Sequence, residues 1–151
     1  MSLPLIRDTT ARLSVPQLLP GRLAAAYRAL EIAEYATREL IFLQPPDLPP
    51  GWAAAQQHAA RARGALSRAP SFEWPLTFPP PVLALAEADL RTVVRALAGL
   101  ADTLVMALVE AADQAEHADD EACCVQAALH GNDLHTVFHI SARTLSAPEP
   151  A

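Results

Sequence analysis

This sequence predicts an all-α fold, a four- to five-helix bundle, and three features predict it. Apolar residues recur at helical spacing over long stretches. Ala, the strongest helix former, makes up about a fifth of the 151 residues. Pro-rich segments at 44–51 and 69–81 separate the periodic stretches. The length suits a single domain able to bury a real core. An apolar fraction of 52% sets the chain apart from disordered sequences.

Residues 1–19 contain Pro4 and Pro16 and read as an irregular arm. A first long helix is expected from about 20 to 43. Leu23, Tyr27, Leu30, Ala33, Thr37, Leu40 and Ile41 share one face of it. Ile32, Tyr35, Phe42 and Leu43 lie off that face, so this helix buries two sides, in the core or in an interface. Pro45 and Pro46 end it, because proline disfavours helical geometry in the residue before it. A second helix follows over about 52–68. Trp52, Ala55, Ala59 and Leu66 give it a modest apolar face, and Gly64 weakens it.

Residues 69–81 are different. Phe72, Trp74, Leu76 and Phe78 fall at every second position among prolines, which predicts an extended crossover. It either plugs a groove of its own bundle or reaches into a partner subunit. One long central helix is expected over about 81–117. Leu83, Leu90, Leu97, Leu104 and Ala111 recur every seven residues, and Val93, Val94, Leu100, Ala101 and Leu108 widen the stripe. Such breadth suits a bundle core better than a two-stranded seam. A break is expected near 117–120, with Asp119 or Asp120 capping the next helix. Gly131-Asn132-Asp133 reads as a stop and restart before a last helix of about 134–145. Residues 146–151 read as a disordered tail.

Charge is uneven: residues 1–95 carry a net +2 and residues 96–151 a net −8. That acidic half would repel phosphate, so nucleic acid is not expected as a partner. Arg61, Arg63 and Arg68, the one basic cluster, read as a solvated helix end. All 11 basic residues are Arg, and with the Ala and Pro content this composition fits a GC-rich bacterial genome. Arg7, Asp8 and Arg12 interrupt any signal-like apolar run at the start. The apolar run 96–109 is short and contains Asp102, so it reads as core rather than as a membrane span. Cys123 and Cys124 are adjacent, and a disulfide between them would be strained. Two free thiols fit a reducing cytoplasm, the expected location.

One constellation stands out chemically. Four of the five histidines lie between His117 and His139. Asp113, Glu116, His117 and Asp120 share a helix face, and His135 and His139 are four apart on another helix. If the two helices run antiparallel, Asp113, His117, Asp120, His135 and His139 form a candidate divalent-metal site. Glu31 and Glu34 with Glu110 and Asp113 form a second carboxylate set, but the 76 residues between Glu34 and Glu110, and the lack of any Lys, argue against a nucleotide–magnesium site. Glu34 inside an apolar stripe reads as an acid paired with an Arg or a Tyr hydroxyl, or as a sign that the buried face is rotated from this assignment; the functional alternative is an acid or base with a raised pKa. Nearby carboxylates raise a thiol pKa, the wrong direction for a nucleophile. Neither a G-x-S-x-G elbow nor a Gly-rich phosphate loop occurs.

The function expected from these features is that of a non-enzymatic interaction and assembly module. It would form a homo-oligomer or bind a protein partner through Ile32, Tyr35, Phe42, Phe72, Trp74 and Phe78. The alternative is a small metal-dependent helical enzyme or ligand carrier built on segment 113–139.

Overall fold

A computed structural model describes residues 2–43, 51–73 and 79–146. Those residues form five α-helices: α1 (Ser2–Leu13), α2 (Leu19–Leu43), α3 (Trp52–Ser67), α4 (Leu90–Gln114) and α5 (Ala118–Ser146), with one 3-10 turn at Leu85–Glu87. The all-α bundle with a long central helix is therefore present. Trp74, Leu76 and Phe78 of the expected crossover lie outside the described residues.

Four helices form a ring in which α2 packs on α3, α3 on α5, α5 on α4 and α4 on α2, while α1 lies over α2 and α4. Side-chain contacts fix their directions. Asp102 of α4 meets His135 and His139 of α5, whereas the later residues Val105 and Leu108 face the earlier Gly131. These two helices are thus antiparallel. Arg22 at the start of α2 bonds Glu110 and Gln114 at the end of α4. Trp52 at the start of α3 stacks near Phe138, late in α5, with ring centroids 6.2 Å apart. Ring neighbours alternate in direction, so α3 and α4 sit on opposite corners and run parallel.

The core follows the apolar periodicity. In α4, Val93, Val94, Leu97, Leu100, Ala101, Leu104, Ala107, Leu108 and Ala111 are buried. In α3, Ala55, Ala59, Ala62 and Ala65 are wholly buried, and their small side chains let α2 and α5 approach closely. Helix α4 is long and apolar enough to cross a membrane, but half of its most apolar window is buried inside the bundle.

Three details depart from the sequence reading. Residues 2–13 are helix, not irregular arm: Ile6 and Leu13 are buried, and Pro4 sits in the first turn, where its missing N–H costs nothing. The central helix starts at Leu90 rather than near Pro81. Asp89 accepts hydrogen bonds from the Arg91 N–H (3.3 Å) and the Thr92 hydroxyl (2.7 Å), which caps it there. The Thr92 bond first, and the Arg91 N–H after it, hold the Asp89 carboxyl below the usual range. Upstream, Ala84 takes a left-handed φ of 48°, which ends any helical run before it. Finally, Gly131-Asn132-Asp133 does not break α5. Gly131 is buried against α4, and packing across that contact overrides the local stop signal.

Candidate functional site

Helix α5 carries a different group of histidines on each flank. Towards α4, His135 and His139 lie one turn apart, and their rings are 4.3 Å apart between centroids. The His139 Nε2 is 2.8 Å from Oδ1 of Asp102, and the His135 Nε2 contacts the same oxygen. Asp102 interrupts the apolar sequence of α4 at the edge that faces α5. Its side chain is 46% exposed, and those of His135 and His139 are 34% and 41% exposed, so all three groups reach solvent. Towards α3, His130 and Asp133 lie three apart and meet His58, whose Nδ1 is 3.9 Å from Asp133 Oδ2. In both groups one ligand-type atom from each residue lies within 4.8 Å of the others.

The expected metal set is divided by the structure. His135 and His139 do converge, but on Asp102. Asp113 and His117 are exposed near the α4–α5 turn. Asp120 is fully buried and taken up elsewhere: it accepts from the Ser71 N–H (2.9 Å) and the Ser71 hydroxyl (2.5 Å). That pair pins the start of the crossover to the first turn of α5. Sequence spacing alone missed Asp102, although an acid alone in an apolar run was the visible signal.

The expected interface residues also separate. Ile32 is fully buried within its own chain, but Leu43 on the same side of α2 is 39% exposed, so only part of that side is covered. Phe72 is buried against Tyr27 at 5.1 Å between ring centroids, so it plugs its own bundle. Tyr35 (37%) and Phe42 (84%) remain exposed.

The remaining candidates are accounted for structurally. Glu34 pairs with Arg63 at 2.8 Å, and Arg63 also donates to the Tyr27 hydroxyl at 3.1 Å. Glu110 is tied to Arg22 at the opposite end of α2 from Glu34, so the two carboxylate sets do not face each other. Both cysteines are free thiols. Burial, followed by the nearby Asp120 charge, pushes the Cys124 thiol up to about 11, which makes it a poor nucleophile. Comparison with protein-family models, curated protein sequences and solved structures returns no match for this chain.

Proposed function

We propose that this chain is a non-enzymatic helical-bundle module that self-associates through the outer face of its α4–α5 hairpin. One observation carries the reading. Met106 (64% exposed) and Val109 (49%) on α4, with Val125 (45%) and Leu129 (64%) on α5, project from two adjacent helices. Met106 and Val109 are three apart and Val125 and Leu129 four apart, so each pair forms a single ridge. Single exposed apolar residues are ordinary, but paired ridges on neighbouring helices are the usual mark of a contact surface. A two-fold axis would set one hairpin against another as a four-helix contact.

The free, adjacent thiols fit a reducing cytoplasm, and the acidic C-terminal half disfavours a nucleic-acid partner. Light scattering coupled to size-exclusion chromatography tests the reading. The expected result is a species of twice 16.1 kDa that reverts to 16.1 kDa when Met106→Glu and Leu129→Glu are combined, with helicity unchanged. A wild-type monomer at every concentration sinks it.

A further inference from the structure

We propose that Asp102, His135 and His139 form a binding site for a divalent transition-metal ion of the zinc type. The inference is independent of self-association. Two imidazole Nε2 atoms face one carboxylate oxygen, and the three ligand-type atoms lie within 4.8 Å of one another. A neutral imidazole bound through Nε2 offers a lone pair there, as does the carboxylate, and a cation satisfies all three at once.

The dimensions fit. Bonds of about 2.0–2.2 Å in a tetrahedral shell put ligand atoms about 3.3 Å apart. The His139–Asp102 separation of 2.8 Å is within about half an ångström of that, and the His135–Asp102 contact is shorter still, so a bound ion would spread the three groups apart. Side chains more than a third exposed on average can rotate by that amount without disturbing the core. The scaffold beneath is firm, because Leu104 and Leu108 of α4 and Leu134 and Phe138 of α5 are buried in the core. Two nitrogens and one carboxylate match a borderline ion such as zinc, nickel or cobalt. Calcium and magnesium want shells of oxygen, and one carboxylate is too little for them. Three protein ligands leave a fourth position for water or a partner's donor.

The His58, His130 and Asp133 group on the other flank of α5 is the natural internal rival. Its His58–Asp133 approach, 3.9 Å, is longer than the 2.8 Å between His139 and Asp102.

Isothermal titration of the tag-free full-length chain with Zn²⁺, paired with Co²⁺ absorption spectra, decides the matter. One ion per chain is expected, with a Co²⁺ spectrum lacking sulfur charge-transfer bands. Combining His135→Gln and His139→Gln should weaken binding by more than the roughly 100-fold that loss of an outer-shell partner costs. Asp102→Asn, which keeps a hydrogen-bonding group beside the imidazoles, should weaken it less. Combining His58→Gln and His130→Gln should change it by less than about threefold. Circular dichroism checks that each variant folds. Absence of Zn²⁺ binding overturns the proposal. So does binding that survives loss of His135 and His139, or sulfur charge-transfer bands that vanish with Cys123→Ser.

Discussion

The α2–α3 seam and the α4–α5 seam are both contacts between antiparallel neighbours, yet their polar groups are finished differently. In the first, Arg63 lies over the Tyr27 ring at 5.5 Å, donates to its hydroxyl and pairs with Glu34. Guanidinium is always charged and offers no lone pair, so Arg63 itself can neither ligate a metal nor exchange its charge near neutral pH. In the second, imidazoles converge on one half-exposed carboxylate, and apolar ridges stand one turn away along α4. The same architecture thus yields one seam closed by an arginine ion pair and another that presents imidazoles and a carboxylate to solvent.

Substitutions on the two seams test this difference. The largest effect is expected at Arg63→Ala. It strands Glu34, whose side chain is only 21% exposed, and strips the cover from Tyr27. Removing one partner of a partly buried charged pair costs about 2 kcal/mol, discounted here for solvent access. Asp102→Ala on the open seam should cost less than about 1 kcal/mol, because exposed pairs contribute little. Urea titration of both variants checks the order, and a reversal would show that the open seam is the structural one.

Next in size is an alkaline effect at Cys124, on the inner side of α5. Its folded pKa of about 11 lies above the reference 9.0, so folding disfavours the thiolate. The contribution is fully present below pH 9 and is lost as pH rises from 9 through about 11, on the order of 2 kcal/mol. Melting curves across that window should fall more steeply for wild type than for Cys124→Ala. Parallel curves would mean that the thiol reaches solvent.

A smaller effect, of opposite sign, is expected at Gly131. A Cβ there would meet Leu108 Cδ1 and Val105 Cγ2 at 3.6 Å, ordinary contact distance. Gly131→Ala should therefore stabilise α5 by about 0.5–1 kcal/mol through helix propensity and chain entropy. Destabilisation would mean that α5 breaks at Gly131 in solution, as its local sequence indicates. Gly51 behaves differently. A Cβ there would lie 2.5 Å from Val137 Cγ1, and β-branched Val is stiff, so Gly51→Ala should lower the melting temperature.

Which parts of this were legible in the sequence follows from how local each signal is. The ends of α2 and the start of α3 were written in Pro45, Pro46 and the Pro-Gly step before Trp52. The breadth of the α4 stripe announced a core helix. Helix α1 was hidden because Pro4 is a breaker everywhere except in a first turn. The continuity of α5 through Gly131 depends on α4 packing against it, which no local rule contains. At the candidate site, the i, i+4 spacing of His135 and His139 was legible. Their partner was not: Asp102 is 33 residues before His135, and only the register of the α4–α5 hairpin brings it there. Asp120 was misread because it belongs to an acidic run, while its hydrogen-bond partner Ser71 lies 49 residues earlier.

The chain has only two methionines, Met1 and Met106, so the Met106 ε-methyl is a nearly unique probe at the centre of the proposed contact face. Its ¹H–¹³C resonance, followed from about 10 µM to about 1 mM protein, spans affinities typical of weak to moderate dimers. The expected result is a concentration-dependent shift or broadening of Met106 that Leu129→Glu abolishes and that resonances of the α2–α3 seam do not share. A Met106 resonance unchanged over the whole range would contradict self-association through the α4–α5 face.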